Sequence, residues 1–229
     1  MPYRAVIFDL GGVVFPSPFD TFAEYERARG LPERFIRSVV AASSESGAWA
    51  RLERGELSFA EFCATFDAEC TSAGGTVDTA DLMAAIGLGV GPRPAMVHAV
   101  RAIRERGLKA GALTNNWARE DDPGRSDAAE DAGVTRTPAL PELPASSDVF
   151  GLFDLVVESA VVGLRKPDPR IYLLACAQLA VEPDETVFLD DLGVNLKPAR
   201  ELGMTTIKVV DAEAVLGELE AVLGFVVRP

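Results

Sequence analysis

The sequence predicts an α/β chain: a doubly wound, Rossmann-like parallel sheet with a helical cap subdomain inserted after its first strand. Three observations carry this expectation. Strand candidates occur at "RAVIFD", a continuous apolar run suited to a parallel strand covered on both faces, and at "LKAGALT", "FDLVVES", "TVFLD" and "TTIKVV". After Gly91 these runs alternate with helical patterns at the pitch of βα units. Between about Phe19 and Leu88 no strand candidate interrupts a series of amphipathic helical segments. The expected division is a core of residues 1–16 and 91–229 and a helical cap of residues 17–90.

The first strand runs over residues 4–9 and ends at Asp9, where "LGG" allows a sharp turn. In the cap, "DTFAEYERARG", "PERFIRSVVAA" and "SFAEFCATFDAEC" are amphipathic, and Ser58 with Glu61 forms a capping box for the last. "GLGVGP", residues 87–92, has neither the spacing nor the Lys of a nucleotide-binding loop and reads as a connection. "RPAMVHAVRAIRERG" is a helix closed by Gly107, and the strand that follows ends at Thr114. The polar, Pro-rich stretch 119–148 breaks the rhythm and is expected as a flap or a disordered segment. "DPRIYLLACAQLA" is a helix with Ile171, Leu174, Ala175 and Gln178 or Leu179 at helical spacing. "NLKPARELG" and "AEAVLGELEAVLG" supply the last two helices.

Composition excludes several classes of function. An apolar fraction of 48% is ample for a core. Lys and Arg total 22 against 35 Asp and Glu, a net charge of −13, which argues against nucleic acid or an anionic membrane as partner. A single histidine, His98, makes histidine triads and multi-histidine metal sites hard to build; it reads as a helix residue near a core face. Cys63, Cys70 and Cys176 are too few and scattered for a disulfide framework. "MPYRAVIFDL" places a charge and an acid inside its first apolar run, unlike a secretory leader, so a cytoplasmic setting is expected.

What remains for chemistry is carboxylates, hydroxyls, lysines and a metal. Ligands of open parallel sheets bind outside the carboxyl ends of the strands. Those ends here present Asp9, then Thr114 and Asn115, then Lys166 in the loop after the third strand, then Asp190 and Asp191. Phosphoryl transfer through an aspartyl phosphate requires such a set. A carboxylate attacks, a hydroxyl and N–H groups grip phosphate oxygens, and a lysine with Mg²⁺ neutralises charge. Two adjacent acids, costly to crowd without compensation, would then face a magnesium ion and a lysine.

"FDLGGVV", "LTNNW", "GLRKPDPRIY" and "FLDDLGVNLKPARELGMTTIKV" resemble the four motifs of the haloacid dehalogenase superfamily. The likeness is greatest to the phosphatase domain of soluble epoxide hydrolases and to the domain fused to some acyl-CoA dehydrogenases. The resemblance covers nearly the whole chain and implies a Mg²⁺-dependent hydrolase of small phosphate monoesters. Carried over by position, it implies Asp9 as nucleophile and metal ligand, Gly11 as a carbonyl ligand and Asp191 as the direct carboxylate ligand. Thr114, Asn115 and Asn116 would contact phosphate or substrate, Lys166 would hold nucleophile and phosphate in register, and Asp190 and Asn195 would support. Trp117 would line the pocket or simply pack. In one respect the chain departs from the pattern: position 11, where such phosphatases usually carry an acid–base Asp, is glycine. A catalytically weak or non-catalytic phosphate-binding or regulatory protein would fit that departure. A metal-free haloacid dehalogenase would use Asp9 too, but it would set two acids against an anionic substrate.

Overall fold

The computed structural model describes residues 3–87, 91–117, 149–211 and 214–229. The stretch expected as a flap lies outside them. Two compact units are present among the described residues. One takes residues 3–17, 91–115, 149–211 and 214–229, and the other takes residues 18–87 with 116 and 117.

The first unit is built on five strands, all parallel: β1 (Ala5–Phe8), β2 (Lys109–Thr114), β3 (Leu155–Glu158), β4 (Thr186–Asp190) and β5 (Thr205–Lys208). Their order across the sheet is β3-β2-β1-β4-β5. Phe8 stands level with Ala112 on one side and with Leu189 on the other. The first strand in sequence is thus the central one, which explains why all four of its residues are buried.

Alternation along the strands feeds two cores. Val6, Phe8, Ala110, Ala112, Val187 and Leu189 point to one face, packed by α6 (Pro94–Glu105) and by α10 (Ala214–Leu223). Ala5, Ile7, Leu113, Val157 and Phe188 point to the other, packed by α8 (Pro169–Leu179) and α9 (Gly193–Glu201). A short α7 (Ser159–Val162) joins β3 to the loop before α8. Burying an Ile7 or a Phe8 side chain contributes roughly 1.5–3 kcal/mol. Helices on both faces of one parallel sheet make this the expected doubly wound fold.

The buried stripe of α8 is Ile171, Tyr172, Ala175, Cys176 and Leu179, while Leu174 is half-buried and Gln178 exposed. The stripe is therefore rotated from the one expected, because Tyr172 packs inward against Phe188, edge to face at 5.4 Å. His98 lies on α6 as expected, but on its exposed side. Among the described residues no helix is long and apolar enough to cross a membrane.

The second unit is helical: α1 (Pro18–Arg29), α2 (Phe35–Ser43), α3 (Ala48–Glu53), α4 (Phe59–Ser72) and α5 (Thr79–Gly87). Its centre is aromatic. Trp49 makes edge contacts with Phe22, Phe62 and Phe66 at 5.4–5.6 Å, and its indole N–H donates to Glu53 Oε1 at 3.1 Å. The buried Glu26 caps α2, accepting from the N–H groups of Arg34 and Ile36 at 2.8 Å. The Ser58–Glu61 capping box forms as the sequence predicts. Cys70 is buried in this core and Cys63 lies at its edge.

Candidate active site

The chain leaves β1 at Asp9, whose N–H donates to Leu189 O at 2.8 Å and so ties the turn to β4. The turn then folds back on itself: Phe15 N–H donates to Leu10 O at 2.8 Å, and Gly11 bridges Phe15. Gly12 takes a φ of 81°, where only glycine is unstrained, and a Cβ there would overlap the Asp191 carboxylate. Val13, Val14 and Phe15 are buried in the core, which anchors the turn from below. Arg93 anchors it from the side. Its Nη1 donates to Gly12 O at 2.8 Å and Val13 O at 3.0 Å, and its backbone N–H to Val14 O at 2.8 Å.

Lys166 is 1% exposed, and its ammonium has three acceptors for three N–H bonds. These are Asp9 Oδ1 at 2.8 Å, Asp190 Oδ2 at 2.8 Å and Leu113 O at 2.9 Å. Its backbone is gripped by Asn115, whose Oδ1 accepts from Lys166 N at 2.8 Å while its Nδ2 donates to Lys166 O at 3.0 Å. The Asn115 amide thus fixes the lysine loop. Thr114, buried at the end of β2, has its hydroxyl 3.5 Å from Asn115 O.

The adjacent acids differ in their surroundings. Asp190 is fully buried, and both of its oxygens accept from the protein. Oδ1 takes Leu192 N–H at 2.8 Å, Oδ2 takes Lys166, and Asn195 Nδ2 stands 3.1 Å from both. Asp191 is half-buried and takes only a long contact from Ser17 Oγ, 3.4 Å from Oδ2, among the hydrogen bonds between described residues. Asp9 Oδ1 takes Leu10 N–H at 2.7 Å as well as Lys166.

Asp9, Asp190 and Asp191 each offer an oxygen within 4.8 Å of the others. Three carboxylates against one ammonium leave a formal charge of −2 in a largely buried place. Burial holds the Asp9 carboxyl well above the ordinary carboxylate range; Lys166 opposes this, and Asp190 and Asp191 add to it. Burial, then the Asp190 charge, push Asp191 up to about 6. Burial works against the Lys166 charge, but Asp190 and Asp9 outweigh it and hold the ammonium above its ordinary value. An all-oxygen donor set with surplus negative charge and raised carboxyl pKa values fits a hard divalent cation of the Mg²⁺ type.

The haloacid dehalogenase-like hydrolase profile matches residues 3–203. The chain belongs to that family. Proteins similar to it include acyl-CoA dehydrogenase family member 10 of Mus musculus, 36% identical over 97% of this chain and 19% of that protein. Bifunctional epoxide hydrolase 2 of Sus scrofa is 32% identical over 98% of this chain and 39% of its own length. The chain therefore spans well under half of these two relatives. Among solved structures, a HAD family enzyme of Bacteroides thetaiotaomicron in complex with magnesium and inorganic phosphate superposes with a TM-score of 0.56. It is 21% identical, over 90% of this chain and 93% of the other, a likeness of fold.

The site residues expected from sequence are thus brought together in the first unit, from Asp9 and Gly11 to Asp190, Asp191 and Asn195. Asn116 and Trp117 fall in the helical unit, where Trp117 packs against the aromatic core. Arg93, Ser17 and Tyr172 were not anticipated. Only Tyr172 leaves a sequence signal, as an aromatic beside the apolar stripe of its helix.

Proposed function

We propose that this hydrolase is a Mg²⁺-dependent phosphatase of small phosphate monoesters, working through an aspartyl phosphate on Asp9. The observation that carries the reading is the cluster itself: Asp9 bridged by Lys166 to Asp190, with Asp191 beside them and little used by the protein. The Bacteroides fold neighbour that holds magnesium and phosphate supports it.

Asp9, the Gly11 carbonyl and Asp191 would hold the cation, with Asp190 and Asn195 supporting. When bound, Mg²⁺ supplies the charge that keeps these carboxylates ionised and polarises the phosphoryl group. Lys166 holds Asp9 Oδ1, leaving the other oxygen to attack phosphorus as the bond to the leaving oxygen breaks. Thr114 Oγ1 and the Asn115 N–H grip the non-bridging oxygens. Water then attacks the aspartyl phosphate, releasing orthophosphate and restoring the Asp9 carboxylate. Gly11 has no side chain to hand a proton to the leaving oxygen, so an aryl phosphate, whose phenolate leaves without help, is the substrate of choice for a test.

The test is phosphate release from 4-nitrophenyl phosphate with Mg²⁺ and with EDTA, using Asp9→Asn as the control. The expected result is turnover that needs Mg²⁺ and falls by roughly 10⁴-fold or more in the variant, on the scale by which removing a nucleophile slows an enzyme. Turnover that survives EDTA or the substitution refutes the reading.

A further inference from the structure

We propose that Tyr172 is a positioning residue whose buried hydroxyl pins Asn195 and, through it, the Asp190–Lys166 pair. The inference rests on the phosphatase reading only for its kinetic consequences.

Four contacts link these residues in series. Tyr172 OH donates to Asn195 O at 2.8 Å. Asn195 Nδ2 stands 3.1 Å from both Asp190 oxygens, and Asp190 Oδ2 accepts from Lys166 Nζ at 2.8 Å. Lys166 Nζ meets Asp9 Oδ1 at 2.8 Å. Tyr172, Lys166, Asp190 and Asn195 are each at least 96% buried, so water does not substitute for a lost partner.

The helix that carries Asn195 needs outside support. Leu192, the residue before α9, provides no side-chain cap. Pro198, inside α9, has no N–H for the carbonyl of Val194 four residues back, so the first turn is short of one ladder bond. What holds this turn is the Asp190 carboxylate on Leu192 N–H, the Asn195 N–H on Leu192 O at 3.0 Å, and Tyr172. Tyr172 is itself set by the edge contact of its ring with Phe188, one strand position away from Leu189 and two from Asp190. A hydroxyl so placed has no direct view of phosphate. Its effect on the reaction runs through the geometry of Asp190 and Lys166.

Tyr172→Phe keeps the ring and removes the hydroxyl alone. Backbone amide exchange in residues 192–196 should rise about tenfold, the loss of one buried hydrogen bond. With 4-nitrophenyl phosphate and Mg²⁺, kcat should fall about tenfold while KM stays constant, a typical cost of loosening a supporting residue. In an Asn195→Ala background the same change should cost nothing further, because the link is already cut. Unchanged exchange in residues 192–196, or rate losses that multiply independently, overturns the proposal. If the wild type releases no phosphate, the phosphatase reading is what has failed, and the exchange measurement still decides the role of Tyr172.

Discussion

Asp190 and Asp191 are neighbours in sequence with opposite obligations. Asp190 has both oxygens committed to protein donors and no exposure, so its charge is part of the fold. Asp191 carries a carboxyl raised to about 6 and accepts only the long Ser17 contact among the hydrogen bonds between described residues. Substituting each by Asn separates the two roles. Asp190→Asn leaves the Lys166 ammonium with one carboxylate instead of two, and breaking a buried pair costs about 3–5 kcal/mol. Asp191→Asn should leave the urea midpoint of the metal-free chain unchanged or slightly higher, yet abolish heat of Mg²⁺ binding in calorimetry. If Asp191→Asn binds Mg²⁺ like the wild type while Asp190→Asn stays stable, the two roles have been assigned the wrong way round.

At the scale of elements, the turn after β1 depends on a residue some eighty positions away. Arg93 enters from the start of α6 and places one guanidinium nitrogen on two carbonyls of the turn, Gly12 and Val13. A hydrogen bond from a charged donor contributes about 1.5–3 kcal/mol. Arg93→Ala should therefore lower stability by about that amount in urea titrations. It should also weaken Mg²⁺ binding, since Gly11 and Gly12 lose their lateral support; equal Mg²⁺ affinity in the variant would count against this. The sequence did not hint at Arg93, because an arginine before a helix proline looks like any solvated charge. The central strands were legible for the opposite reason: burial on both faces demands apolar runs such as Ala5–Phe8 and residues 187–189. The short α3 was not resolved from sequence, since six residues give too few turns for a periodic signal; α5 was missed as well, although α2, of the same nine residues, was read. The site residues at strand ends could be read one by one. What Asn115 does could not, because the amide binds a backbone 51 residues away that no local spacing reveals.

For the molecule as a whole, the raised carboxyls tie folding to pH and, through the proposed cation, would tie it to metal. Asp191 has a folded pKa of about 6 against an ordinary value of 3.8, and Asp9 is shifted in the same direction. At Asp191 the native state therefore holds more proton than the unfolded state between about pH 4 and 6, so this group's contribution to metal-free stability falls as pH rises through that window, and Asp9 acts in the same direction. Above about pH 6 the Asp191 part of the penalty is fully present. A divalent cation bound as proposed would offset it at the ionised carboxylates, and below about pH 6 it would have to displace a proton from Asp191, at roughly tenfold in affinity per pH unit for one proton. At a free Mg²⁺ concentration a hundred times Kd the stabilisation is about 2.7 kcal/mol. For a chain of this length that corresponds to a rise of roughly 5–10 °C in Tm. Thermal melts with 10 mM Mg²⁺ and with EDTA, at pH 5.0 and 7.5, should show a large shift at the higher pH and a much smaller one at the lower. Equal shifts at both values would mean that the cation, if it binds, does not bind through Asp9 and Asp191.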